Sequence, residues 1–114
     1  MKVLIVDDSE KIRRMLKSLL ADGETEFVEC EDGAEALATY QAHQPDVVLM
    51  DVSMPQMDGI TATAQVMRAE PTARIIILTN FADENLRRAA MAAGARSYVL
   101  KENMFEVRQL MQSH

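Results

Sequence analysis

Residues 46–59 read Asp46-Val47-Val48-Leu49-Met50-Asp51-Val52-Ser53-Met54-Pro55-Gln56-Met57-Asp58-Gly59. Four apolar residues in unbroken succession end on a carboxylate, with a proline and a glycine soon after. An apolar run without alternation is buried on both faces, as in a parallel sheet covered by helices. The same signature occurs upstream at Val3-Leu4-Ile5-Val6 and downstream at Ile75-Ile76-Ile77-Leu78. Two weaker runs complete a set of five predicted strands: Lys2 to Val6, Glu26 to Cys30, Asp46 to Met50, Arg74 to Leu78 and Ser97 to Leu100. The second is mixed in character, which suits a sheet edge.

Helical patterns fill the gaps. Ile12, Met15, Leu16, Leu19 and Leu20 recur at the spacing of one apolar helix face, and Arg13, Arg14 and Lys17 fall largely elsewhere. Ser9 stands where it can cap that helix. Ala34, Leu37 and Ala38 start a second helix, and Ile60, Ala64 and Met67 mark a third that closes before Pro71. Asp32-Gly33 and Asp58-Gly59 read as the turn and cap chemistry at their entries. Leu86, Ala89, Ala90 and Ala93 mark a fourth helix, stopped by Gly94. Met104, Val107, Leu110 and Met111 suggest a fifth.

The order is therefore (βα)₅, without a linker or low-complexity tract, read as one domain over residues 1–114. Alternating strands and helices impose parallel pairing with right-handed crossovers. The expected fold is α/β: a doubly wound, flavodoxin-like parallel five-stranded sheet in the order 2-1-3-4-5. Ligands of such sheets bind at the carboxyl ends of the strands, where the strand order reverses.

Composition narrows the function. Apolar residues make up 48% of the chain, enough for a core, yet no run could cross a bilayer. The short first apolar run is a strand and not a signal peptide. Cys30 is the only cysteine, so an internal disulfide is excluded, and it reads as a small buried hydrophobe in a cytoplasmic protein. His43 and His114 show no ligand spacing, so no zinc site is expected. A net charge of −6 disfavours direct binding to nucleic acid.

The strand ends carry the chemistry. The first strand runs into Asp7-Asp8, the third into Asp51, the fourth into Thr79 and the fifth into Lys101. The first and third strands are neighbours at the switch point, so three carboxylates converge. Packed acids stay ionised only with a cation among them. Oxygen ligands with open positions suit Mg²⁺, with Mn²⁺ as a substitute, and Mg²⁺ also binds phosphate. The Asp51 carboxylate can then attack phosphorus to form an acyl phosphate. Lys101 would pair with one phosphoryl oxygen and Thr79 would donate to another.

Asp7-Asp8, the segment Asp51 to Gly59, Thr79 and Lys101 together resemble the signature of two-component response-regulator receiver domains, in order and over essentially the whole chain. The resemblance implies roles. Asp51 is the phosphoacceptor. Asp8 and Asp51 ligate Mg²⁺ through side chains, the Ser53 backbone carbonyl is a third ligand, and Asp7 acts mainly through water. Thr79 and Lys101 sense the phosphoryl group. Tyr98 is the aromatic that turns inward as Thr79 is drawn to it, reshaping the face of the fourth helix, fifth strand and fifth helix. The implied partners are a sensor histidine kinase or phosphotransfer protein and a downstream target or output domain; the same face is a candidate homodimer surface. The nine methionines mostly fill core gaps, and Met91, Met104 and Met111 could instead line an adaptable docking face.

Three features depart from, or refine, that pattern. Glu102 follows Lys101 where many receivers have a cis proline, so a trans bond is expected. The run Tyr98 to Glu102 is closest in flavour to receivers that precede a helix-turn-helix domain, so the alternative is the receiver of a longer DNA-binding transcriptional regulator. Ser53 and Phe81 lie two residues beyond Asp51 and Thr79, positions that flank the attacking water in the family. Neither would orient water well, which implies slow autodephosphorylation. A phosphatase of the haloacid dehalogenase type, the rival enzyme class, wants an aspartate two residues after its nucleophile. Ser53 stands there, and the chain reads as a switch rather than a turnover enzyme.

Overall fold

A computed structural model describes residues 1–112. His114 lies outside the described residues. The elements, in order, are β1 (Lys2–Val6), α1 (Glu10–Leu20), β2 (Glu26–Cys30), α2 (Ala36–His43), β3 (Val47–Asp51), α3 (Gly59–Ala69), β4 (Ile75–Thr79), α4 (Glu84–Ala93), β5 (Ser97–Leu100) and α5 (Val107–Gln112). Short 3₁₀ turns at Gly33–Glu35 and Lys101–Glu106 lead into α2 and α5. The five strands pair in parallel in the order β2-β1-β3-β4-β5, as the sequence predicts. β3 and β4 begin one residue later than the apolar runs suggest, and they end on Asp51 and Thr79, the residues the sequence puts at their ends.

The pleat of the sheet sorts its residues into two cores. Val3, Ile5, Val47, Leu49, Ile76, Leu78 and Val99 face one side and pack with Leu16 and Leu20 of α1 and Val107 and Met111 of α5. Leu4, Val6, Val48, Met50, Ile75 and Ile77 face the other and pack with residues of α2, α3 and α4. Successive strand residues point to opposite faces, so an unbroken apolar run serves both cores. Each fully buried Leu or Ile contributes roughly 1.5–3 kcal/mol. Cys30 is buried, as expected.

Several helix entries follow the predicted chemistry. The Ser9 hydroxyl accepts from the Ile12 amide, and Asp58 accepts from the Ile60 and Thr61 amides. Asp83, which the sequence reading did not single out, caps α4 in the same way. Gly59 has a tighter constraint. A methyl group there would lie 1.7 Å from the Asp51 carbonyl oxygen. Only glycine lets the start of α3 sit against the end of β3. Its amide donates to the Val52 carbonyl at 2.8 Å, which closes the β3–α3 loop at its base.

Three expectations are corrected. Met15 is 44% exposed rather than part of the buried stripe of α1. Arg13, placed on the polar face by periodicity, is buried. Met111 is in the core and cannot belong to a docking face, whereas Met91 is exposed and Met104 is half-buried. α5 leaves the 3₁₀ turn with Val107 and Met111 inward, and that orientation decides which methionines are seen by solvent.

The two cores set a stability prediction. Leu49→Ala, in the centre of β3, should cost about 2–5 kcal/mol in chemical denaturation. Phe105→Ala, at a side chain 65% exposed, should stay within about 0.5 kcal/mol of the parent. Equal losses would contradict this assignment of the interior.

Candidate functional site

The carboxyl ends of β1, β3 and β5 meet at one edge of the sheet. Asp7, just past β1, and Asp51, the last residue of β3, are both buried, while Asp8 is exposed. Carboxylate oxygens of the three lie within 4.8 Å of one another. Lys101 follows β5 directly, and its Nζ is 3.1 Å from Asp7 Oδ2 and 3.1 Å from Asp51 Oδ1. The other Asp7 oxygen accepts the Ser9 amide at 2.9 Å, which fixes the carboxylate in the turn that caps α1. The sequence predicts a trans bond between Lys101 and Glu102. The structure has no cis peptide bond among the described residues, and Lys101 reaches both acids through a trans backbone.

The electrostatics are those of a site short of positive charge. Burial, reinforced by the Asp7 charge, pushes the Asp51 carboxyl up to about 6, with Lys101 opposing the shift. Burial alone would lower the Lys101 ammonium, but Asp51 and Asp7 outweigh it and hold the group above its ordinary value. One ammonium faces three carboxylates. The donor set is oxygen only, with Asp8 open to solvent beside a cleft of about 630 Å³. Such a set fits a hard divalent cation that keeps part of its water shell.

Thr79 is fully buried at the end of β4, and its Oγ1 accepts the Phe81 amide at 3.1 Å. Asp51 pairs with Leu78 across the sheet, so Thr79 stands one residue beyond the acid on the neighbouring strand. The Tyr98 hydroxyl donates to the Phe81 carbonyl at 2.6 Å. Burial raises its phenol, and a hydrogen bond with the Thr79 side chain partly offsets that. Thr79, Phe81 and Tyr98 therefore form one connected group. Ser53 is exposed in the β3–α3 loop, and the Phe81 ring is 46% exposed.

Arg13 is the residue that sequence reasoning missed. Its Nη1 donates to the Asp7 carbonyl at 2.7 Å, its Nε to Glu29 Oε1 at 2.9 Å, and its Nη2 lies 3.6 Å from Glu31 Oε1. The guanidinium thus ties the first acidic turn to β2. A usable signal existed. Side chains on a helix lean toward its N-terminus, so an arginine one turn after the cap reaches back over the preceding strand end.

A pH dependence follows from Asp51. Its carboxyl binds a proton more tightly in the folded chain than the ordinary value of 3.8. In metal-free buffer, stability should therefore fall as pH rises from about 4 to about 6. Asp51→Asn removes the buried charge while Lys101 keeps Asp7 as its partner. The variant should be more stable than the parent at pH 7 by about 1–3 kcal/mol, with the gain fading toward pH 4. Thermal melts in chelator at both pH values check this, and a variant no more stable at pH 7 would contradict it.

The chain matches the response regulator receiver domain family over residues 3–113. It is 40% identical over 101 residues to the chemotaxis protein CheY of Bacillus subtilis, an alignment covering 88% of this chain and 84% of that protein. It is also 40% identical over 104 residues to the transcriptional regulatory protein YhcZ of the same organism, covering 90% of this chain but 49% of that protein. Among solved structures, the CheX–CheY–BeF3–Mg²⁺ complex of Borrelia burgdorferi superposes with a TM-score of 0.88 at 28% identity, covering 99% of this chain and 90% of that one. An acidic pocket at the carboxyl edge of a parallel sheet ordered 2-1-3-4-5, with a lysine reaching into it, thus agrees with the sequence match: the chain belongs to the response-regulator receiver family.

Proposed function

We propose that this chain is a phosphorylation switch that accepts a phosphoryl group from a histidine kinase, or from a phosphotransfer protein, onto Asp51 in the presence of Mg²⁺. The observation that carries the reading is the Lys101 ammonium at 3.1 Å from both Asp7 and Asp51, with Asp8 alongside. Asp8, Asp51 and the Ser53 carbonyl would hold the ion, with Asp7 acting through water. When bound, the ion supplies the positive charge that lets Asp51 ionise and that draws phosphoryl oxygens to the site. An Asp51 carboxylate oxygen forms a bond to phosphorus as the P–N bond of a phosphohistidine breaks. Lys101 then pairs with the incoming oxygens in place of the carboxylate it has just lost, and the buried Thr79 hydroxyl donates to another.

The output begins at Thr79. Its Oγ1 is held by the Phe81 amide, and the Phe81 carbonyl holds Tyr98. A Thr79 drawn toward a phosphoryl group would let go of Phe81, and the change would pass to Tyr98 and the face of α4, β5 and α5. That surface is where a downstream target or a second copy would bind. Differential affinity of the partner for the two arrangements sets the size of the response. The same chemistry serves a receiver that stands alone and one that precedes an output domain.

Intact-mass measurement after incubation with acetyl phosphate and Mg²⁺ tests the reading. One phosphoryl adduct should form, and it should be absent with chelator and in Asp51→Ala. An adduct that persists in Asp51→Ala would refute it. A second expectation concerns its lifetime. Ser53→Asn combined with Phe81→Glu places an amide and an acid beside the water path, so phosphate release should quicken by about 10-fold or more, with the ~10²–10⁴ of a fully positioned acid–base group as the upper limit. An unchanged lifetime would remove these two residues from that role.

A further inference from the structure

Asp32 is not one of the three clustered acids and has no part in the chemistry above; it is buried on the lining of the cleft beside Asp8. It stands between β2 and α2, where the sequence reading assigned it only to a turn. One oxygen, Oδ1, accepts the Ala34 amide at 2.9 Å, which starts the 3₁₀ turn. The same oxygen accepts the Met57 amide at 3.0 Å, and Oδ2 accepts the Gln56 amide at 2.9 Å. Those two amides belong to the β3–α3 loop, 24 and 25 residues further along the chain. Three N–H donors hold the carboxyl below its ordinary range, the Ala34 and Gln56 bonds first. A turn needs only the first of them.

The neighbouring glycine shows how close the two loops are. A methyl group on Gly33 would lie 2.5 Å from the Met57 carbonyl oxygen and 3.2 Å from that of Asp58. The β3–α3 loop is thus fastened twice. The Gly59 amide ties its base to Val52, and Asp32 ties its far side to the start of α2. Ser53 is held between these two fastenings.

We infer that Asp32, with Gly33, is a positioning residue for the metal site, acting on the Ser53 carbonyl through the backbone of the β3–α3 loop. Resting on the reading given under Proposed function, this assigns metal affinity partly to a carboxylate that never touches the ion. Backbone groups bind without rotamer freedom of their own, so their aim depends on what holds the loop. Partners that orient a ligand from behind commonly matter about 10–100-fold in affinity.

Three variants test it. Asp32→Ala frees the Gln56 and Met57 amides, so hydrogen exchange in metal-free protein should speed up in residues 52–58 while β1 and β4 stay protected. Mg²⁺ affinity by calorimetry should weaken about 10-fold. Adduct formation from acetyl phosphate should return close to the parent rate at saturating Mg²⁺, because Asp51, Thr79 and Lys101 are untouched. Asp32→Asn keeps one acceptor oxygen and should fall between parent and Asp32→Ala. Gly33→Ala keeps the carboxylate but pushes against Met57, so it should also weaken Mg²⁺ binding. If Asp32→Ala does not fold, the other two variants carry the test. Parent-like Mg²⁺ affinity in folded Asp32 and Gly33 variants overturns the inference and leaves the proposed function standing. A parent protein that binds no Mg²⁺ overturns both.

Discussion

Like charges crowded at the edge of a sheet are the constraint around which this molecule is organised. Asp7 and Asp51 are buried, Asp8 joins them from the rim, and the counter-charge among the described residues is the Lys101 ammonium, 3.1 Å from two of the three. Such a cluster is under tension in the metal-free chain: burial first, and the Asp7 charge after it, push the Asp51 carboxyl up to about 6. Burial strengthens every interaction there, repulsive and attractive alike. A group that brings positive charge would relieve the tension, and one that converted Asp51 to an acyl phosphate, a mixed anhydride, would redistribute it. Charge chemistry at one residue can therefore change the energy of the surrounding structure.

The fold supplies what such a cluster needs, namely rigidity behind it. β1, β3 and β4 carry apolar residues to both cores along almost their whole length, so their ends cannot drift. Each of the two buried acids is then fastened locally. Asp7 is held through its side chain by the Ser9 amide and through its carbonyl by Arg13. Asp51 ends β3 with α3 pressed against its carbonyl, a fit that depends on Gly59 having no side chain. Thr79 is held by Phe81, which also holds Tyr98, and this group extends from the site toward the surface of β5. The rigid part holds the charges, and the Thr79 hydroxyl stands one residue beyond Asp51 on the neighbouring strand, bonded to Phe81.

Much of this was legible in the residue order, because the relevant signals are local. Unbroken apolar runs mark central strands of a parallel sheet, and their ends mark the crevice, so Asp7, Asp8, Asp51, Thr79 and Lys101 could be named before any coordinates. Cap residues such as Ser9 and Asp58 are equally local, since they bond amides two or three positions away. The misreadings have one origin. Periodicity ranks a helix face by polarity, and it placed Arg13 outside and Met15 inside. A buried arginine is stable only with acceptors, and those come from the Asp7 carbonyl just before α1 and from Glu29 and Glu31 at the end of β2. Met111 belongs to the core and not to a docking face: α5 turns Val107 and Met111, four residues apart on its apolar side, inward after the 3₁₀ turn.

The residue order by itself determined the strands, their parallel pairing, the crevice and the chemical types gathered there, because each follows from short-range pattern and from the handedness of chain crossovers. Tertiary structure alone decided which acids are buried, where Lys101 aims, and that Asp32 grips a loop far along the chain. Those outcomes depend on distances between segments remote in sequence. Burial and hydrogen bonding are properties of neighbours in space, and a chain states its neighbours only once it has folded.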